Sequence, residues 1–387
     1  MIPSDSRRSR IAPFHVMDVW AAAAQRQLTH GDVLTLAAGQ PSTPAPAPVL
    51  RAARAALDEQ LLGYTVALGI PELRAAIAGH HCSRTGIEVG PQDVVVTTGS
   101  SGAFTLIFLA AFDPGDVVVM ARPGYPAYRN TLTALGCTVH ELDCGPDSRF
   151  QPTVAMLDAL PTPPAGLVVA SPANPTGTIL AADELAALAR WCTEHGTLLI
   201  SDEIYHGISY GPVTASAWHT SRESVVIGST SKYFSMTGWR LGWMLVPARL
   251  RGAVDRLTGN LTICPPAIAQ HAAIAAFTPE SYAELDAHVQ RYRANRDLLL
   301  DGLPRLGLSD LAPADGAFYV YADIGHLTDD STSWCARLLA ETGVAIAPGV
   351  DFDTVHGHRT VRFSFAGSTS DVTQALARLA ASRTLRG

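Results

Sequence analysis

The sequence predicts an α/β protein: a large domain with a mostly parallel sheet covered by helices on both faces, plus a smaller α+β domain. Two observations predict it. From about residue 50, short apolar runs alternate with helical segments, the pattern of strands buried on both faces and joined by crossover helices. Near residue 281 the character changes to one long amphipathic stretch, followed by further strands and a closing helix.

Taken in order, "DVVVTTGSS" is a β-branched run ending in a Gly/Ser turn, and "GAFTLIFLAAF" after it has the length of a helix. Strands follow at "GDVVVMARPGY" and "GLVVASPANPTG", a helix at "AADELAALARWCTEHG", then strands at "TLLISDEIY", "SVVIGSTSK" and "LGWMLVP". "SYAELDAHVQRYRANRDLLLDGL" carries apolar residues at helical spacing; beyond it "GAFYVYADI", "GVAIAPG" and "TVRFSFAG" are expected strands. The proline-rich "GQPSTPAPAPV" must be extended and links two parts. The expected division is an N-terminal segment, 1–47, packing with the small domain, a large cofactor-binding domain, 48–285, and a small C-terminal domain, 286–387.

With 47% hydrophobic and 16% charged residues, the chain buries a sizeable core. A net charge of −7 without long runs of either sign argues against nucleic acid or an anionic membrane as partner. The 6 cysteines form no C-x-x-C pair and no zinc-finger spacing with histidine, so they read as reduced thiols of a cytoplasmic protein, and no metal is expected. "MIPSDSRRSR" has no apolar run behind it, and "AFTLIFLAAF" is too short to span a bilayer.

Of the 28 Lys and Arg residues, 27 are arginine and one is lysine, Lys232 in "GSTSKYFSMTGWRLGW". A chain that uses arginine wherever a positive charge will do keeps lysine where an amine is required, because a guanidinium does not deprotonate and an amine can attack a carbonyl carbon. Lys232 is therefore a candidate for a Schiff base. The alternative is one surviving surface lysine, and its neighbours must decide.

In open parallel sheets ligands collect beyond the carboxyl ends of the strands. There "VTTGSSGAF" places Gly99, Ser100 and Ser101 at a helix N-terminus, suited to a phosphate, although such turns start many helices. "PGYPAY" places Tyr125 to stack on a flat ring, or merely to pack. "SPANPTG" puts Asn174 in a proline-braced turn, and "SDEIY" puts Asp202 and Tyr205 at a strand end, where a buried carboxylate needs a cationic partner. Ser229 and Arg240, flanking Lys232, can serve a phosphate. A heteroaromatic aldehyde with a phosphate and a ring nitrogen uses all of these groups, and pyridoxal 5'-phosphate is that molecule.

With these residues in view, the sequence resembles the class I aminotransferases, the aspartate aminotransferase-like, fold-type I pyridoxal-phosphate enzymes, from "LAAGQPS" to "VRFSFAG". The resemblance implies a seven-stranded-type large sheet and these roles: Lys232 as Schiff-base lysine and proton carrier, Asp202 on the pyridine nitrogen, Tyr205 and Asn174 on the ring oxygen, and Tyr125 stacked on the ring. Ser100, Ser101, Ser229 and Arg240 fall on the phosphate-binding positions. Tyr64, in "GYTVALGIPELRAAI", falls on the tyrosine that reaches the other subunit's phosphate, which implies a homodimer with shared sites. Arg362 in "VRFSF" falls on the arginine that grips the substrate α-carboxylate, and Gly39 on the glycine beside the substrate, where a plain turn is the other reading.

The implied reaction is a two-step transfer of the amino group from an L-amino acid to a 2-oxo acid. A carbon–sulfur lyase on the same scaffold is the main alternative. A non-catalytic cofactor-sensing domain of a transcription regulator is another, but it needs a DNA-binding module, and only some forty residues precede the cofactor domain. Relatives that prefer aspartate often carry lysine where this chain has Ser101. The segments expected at the side-chain pocket, "APFHVMDVW" and "NLTICPPAIAQ", are apolar or neutral, although Arg122, Arg129 or a partner's arginine could enter. Neutral amino donors are therefore expected.

Overall fold

A computed structural model describes residues 5–385; the first four residues of the expected N-terminal segment and the last two of the expected small domain lie outside the described residues. A 3-10 turn, Arg7–Ser9, precedes the first α-helix, His15–His30, and a two-residue strand, β1 (Leu34–Thr35), follows it. The large sheet then collects β2 (Val94–Thr97), β3 (Val117–Arg122), β4 (Thr138–Asp143), β5 (Gly166–Ala170), β6 (Leu198–Asp202), β7 (Val225–Ser229) and β8 (Gly242–Leu245) in the order β2-β8-β7-β6-β5-β3-β4. Only β8 runs antiparallel to its neighbours, β2 and β7, so the sheet is mostly parallel. Every residue of β6, β7 and β8 is buried, as strands covered on both faces require.

The long helix runs Pro279–Arg305, started by Thr278, whose side chain accepts from Ser281 N, and by Pro279 at its first position. After it come β9 (Tyr319–Asp323), β10 (Val344–Ala345), β11 (Ala347–Pro348) and β12 (Thr360–Ser364), with helix Thr369–Ala381 closing the chain. The single strand expected at "GVAIAPG" is in fact two. Val344 and Ala345 pair with β1 in parallel, while Ala347 and Pro348 pair with β12 antiparallel. Pro348 has no N–H to extend a ladder, and the chain changes partners at the fully buried Ile346. β11, β12 and β9 form a three-stranded antiparallel sheet.

The topology brings chemistry to one edge. The turns after β2, β3, β5, β6 and β7 carry Ser100, Tyr125, Asn174, Tyr205 and Lys232, β12 of the small sheet delivers Arg362, and the loop after β1 delivers Gly39. No helix among the described residues is long and apolar enough to cross a membrane.

Candidate active site

A cavity of about 270 Å³ opens at this edge, lined by Gly39, Ser100, Ser101, Tyr125, Asn174, Asp202, Tyr205, Lys232, Arg240 and Arg362. Ten of the twelve residues singled out from the sequence thus meet. Ser229 and Tyr64 do not line it. Ser229 lies behind the wall, its hydroxyl donating to Ser231 Oγ at 2.9 Å, and it is Ser231 that reaches the cavity. Tyr64 is 84% exposed in an irregular segment of the single chain.

Lys232 does not end its strand as the sequence suggested; it stands three residues beyond β7, so its side chain turns into the cavity. Its Nζ donates to Gly39 O at 2.6 Å and lies 5.6 Å from the centre of the Tyr205 ring. Desolvation, and next the positive charge of Arg362, bring its pKa down to about 8, with Asp202 opposing. Near neutral pH a useful fraction of such an amine carries a free lone pair.

Asp202 is 2% exposed and has no ion pair among the described residues. One carboxylate oxygen accepts from the Tyr128 hydroxyl and the other from Ile204 N at 3.2 Å. Burial raises its pKa to about 6 against these bonds and the attraction of Lys232. Tyr128 and Tyr319 escaped sequence reasoning. The Tyr319 hydroxyl meets that of Tyr205 at 2.7 Å, and burial holds both phenols protonated.

Arg362, 3% exposed, crosses the gap between the two sheets. Its NH1 donates to Asn174 Oδ1 at 2.8 Å and its NH2 to Ala37 O at 2.9 Å, while Nε has no partner among the described residues. The guanidinium is sandwiched by the rings of Tyr319, 4.3 Å away, and Phe352, 4.6 Å away. A side chain on Gly39 would meet the Tyr319 hydroxyl at 2.7 Å, so glycine is required for close approach.

The fit of this site to pyridoxal phosphate rests on three features. Helix Gly99–Ala111 begins at Gly99 with φ +69°, and a Cβ there would sit 2.5 Å from the Arg240 guanidinium. A cradle of helix N–H groups, two serine hydroxyls and an arginine remains, as a phosphate needs. Asp202 is a buried carboxylate lacking the cation it calls for, and Lys232 is an amine within the same cavity. The residues fit the group.

The apolar wall is legible in part. Phe14, Val16, Met17 and Trp20 of "APFHVMDVW" line the cavity, whereas "NLTICPPAIAQ" does not: Pro266, Ile268 and Ala269 face an adjoining groove with Gln40, Trp239 and Arg240. Arg122 is committed to Asp143 at 2.8 Å and Asp353 at 3.4 Å, and Arg129 to Glu141 at 2.8 Å; neither lines the cavity.

A mostly parallel seven-stranded sheet with one lysine, one buried carboxylate and one buried arginine around a common cavity is the architecture of a pyridoxal-phosphate-dependent aminotransferase. Residues 31–379 match the family model of aminotransferase class I and II, and the chain belongs to that family. Valine–pyruvate aminotransferase of Mycobacterium tuberculosis is 61% identical over 374 residues, covering 96% of each chain. Aspartate/prephenate aminotransferase of Thermus thermophilus is 37% identical over 380 residues, covering 97% of each. Among solved structures, an aminotransferase from Mycobacterium tuberculosis has a TM-score of 0.97 at 60% identity over 98% of both chains. Aspartate aminotransferase from Thermus thermophilus with maleate has a TM-score of 0.92 at 35% identity, covering 98% of this chain and all of the other. The protein is an enzyme that moves an amino group from an amino acid to a 2-oxo acid; neither the lyase nor the regulator reading is favoured.

Proposed function

We propose that this aminotransferase prefers neutral L-amino acids, with valine and alanine ahead of aspartate, and a small 2-oxo acid such as pyruvate as acceptor. The observation that carries the reading is the supply of charge in the cavity. Its cations are Lys232, Arg240 and Arg362, each with a role near the cofactor or α-carboxylate, while Ser101 and the wall of Phe14, Val16, Met17 and Trp20 offer no positive charge to a second carboxylate, only the Ser101 hydroxyl and the Trp20 Nε1–H. An aliphatic side chain against that wall gains roughly 0.8 kcal/mol per buried methylene, and an unpaired carboxylate is penalised. The 61% identity to valine–pyruvate aminotransferase points the same way.

Pyridoxal phosphate, when bound, supplies an aldehyde that condenses with amines and a ring that accepts the electron pair released at the substrate Cα. Lys232 would hold it covalently, and its free amine would be the base that takes the proton from the substrate Cα. A pKa of about 8 suits an amine in that role. Asp202 would keep the ring nitrogen protonated, Tyr205 and Asn174 would donate to the ring oxygen, and Tyr125 would face the ring. Ser100, Ser101 and Arg240 would hold the phosphate, with Ser231, which lines the cavity, better placed than Ser229. Arg362 orients the α-carboxylate by its planar fork, the same grip for donor and acceptor.

The active unit in this reading is a cytoplasmic homodimer, each chain divided near residues 47 and 285. Leu57, Leu61, Tyr64, Val66, Leu261 and Ile263 are all exposed on two neighbouring segments, joined where Thr65 N donates to Cys264 Sγ at 3.4 Å. Such an apolar patch calls for a partner, and a second copy would bring Tyr64 to the neighbouring phosphate cradle. The test of the substrate reading is a panel of valine, alanine and aspartate against pyruvate and 2-oxoglutarate. Higher kcat/KM for valine and alanine is expected; a clear preference for aspartate overturns the reading.

A further inference from the structure

We propose that Asp351 is a positioning residue that sets side-chain selectivity by fixing the N-terminal helix as the far wall of the cavity. The proposal rests on the reading of that cavity as the substrate site. Helix His15–His30 has Phe14 at its N-cap, which offers no side-chain acceptor to the first N–H groups. Asp351 supplies one from 336 residues away: one carboxylate oxygen accepts from His15 N at 2.8 Å and the other from Val16 N at 2.7 Å. Asp351 is 2% exposed, and the bonds are charge-assisted, so this clamp is the polar anchor of the helix start.

The turn that carries Asp351 also holds the rest of the site. Phe352, the next residue, lies under the Arg362 guanidinium at 4.6 Å, and its carbonyl accepts from Gly124 N at 2.8 Å, one residue before Tyr125. The Asp351 carbonyl accepts from Arg129 at 3.2 Å. One short segment therefore ties together the carboxylate anchor, the ring-facing tyrosine and the helix that presents Phe14, Val16, Met17 and Trp20 to the cavity. The offset between the grip on the α-carboxylate and the side-chain wall is set through Asp351. A branched side chain depends on that wall more than a single methyl group does, because it buries more apolar surface there.

The experiment uses two unreactive carboxylates, 3-methylbutanoate and acetate, titrated into the holoenzyme and followed by the absorbance of the bound cofactor. In Asp351→Ala, 3-methylbutanoate is expected to weaken by roughly tenfold and acetate by less than about twofold, taking the lost wall contacts as the cause. Backbone hydrogen exchange at 15–20 should rise, the resting absorbance should stay, and KM for valine should rise while kcat for alanine holds. Asp351→Asn, with one acceptor oxygen left, should show the same pattern at a smaller factor, and it carries the test where the alanine variant does not fold. Equal weakening of both carboxylates, or an unchanged preference between them, overturns the proposal. A wild-type enzyme that does not prefer 3-methylbutanoate over acetate contradicts the substrate reading itself, and the proposal with it.

Discussion

Arg362 donates to the side-chain oxygen of Asn174 at 2.8 Å, joining two residues 188 positions apart across the two sheets. Both of the arginine's hydrogen-bond acceptors are neutral, the other being Ala37 O, and it has no ion pair among the described residues. A buried guanidinium held this way is suited to receive a carboxylate, the role proposed for it. Arg362→Ala is expected to lower kcat/KM by about 2–4 kcal/mol for every amino acid and oxo acid alike, since all share the α-carboxylate. Arg362→Lys should restore only part of this, lacking the planar fork. Loss confined to one substrate would mean that Arg362 reads side chains instead.

Burial first, and the same arginine second, depress the amine of Lys232, whose pKa of about 8 compares with an ordinary 10.5. Because Lys232 is the sole lysine, amine-reactive labelling of the cofactor-free enzyme reports on it alone once the N-terminal peptide is separated. Labelling should rise with pH through a midpoint near 8, and Arg362→Ala should move that midpoint upward by removing a positive neighbour. A midpoint near 10.5, or no movement in the variant, contradicts the electrostatic account.

Tyr64, exposed in one chain, is expected to complete the site of its partner. A Tyr64→Phe chain mixed with a Lys232→Ala chain should form heterodimers in which one site carries both lesions and the other carries neither. Activity in the mixture above that of either parent supports the shared site. Inactivity despite proven heterodimers removes it.

Next to Asp202, Glu203 lies 4% exposed. Its Oε1 accepts from Ser201 Oγ and Ala217 N, both at 3.0 Å, the Ser216 hydroxyl also bonds the carboxyl, and Oε2 lies 3.5 Å from His206 Nδ1. Burial raises Glu203 from 4.5 to about 8. The folded state therefore holds a proton that the unfolded state releases, and the associated stability is present below pH 4.5 and lost as pH rises towards 8. Glu203→Gln should raise Tm over wild type by roughly 2 °C or more at pH 8, with the gain shrinking towards pH 5. An equal difference at both values contradicts the protonated carboxyl.

Lys232, Asp202 and Asn174 were legible in the sequence from short motifs at or just beyond strand ends, where the chemistry constrains the residue type, whereas Arg362, in the middle of β12, was legible only through the family resemblance. The helix–strand alternation likewise foretold the parallel sheet, because residues buried on both faces must be apolar throughout. Tyr128, Tyr319 and Asp351 were not legible. Two are tyrosines indistinguishable from core residues until their hydroxyl partners are known, and the third serves a helix 335 positions earlier. Ser231 was passed over for Ser229 since a strand's pleat does not show which hydroxyl turns outward beyond its end. The split of "GVAIAPG" into β10 and β11 depends on partners in separate parts of the chain, which periodicity cannot show.

The central claim is that the lone lysine carries the chemistry, and borohydride reduction of the cofactor-loaded enzyme tests it most directly. Peptide mapping of the reduced protein is expected to find the pyridoxyl group on Lys232, with turnover abolished in proportion to the label. Lys232→Ala and Lys232→Arg should fold, take up no covalent label and lose nearly all activity, because a guanidinium conserves charge without nucleophilicity. Cofactor released unmodified from the reduced wild type, or normal turnover by Lys232→Ala, would contradict the account.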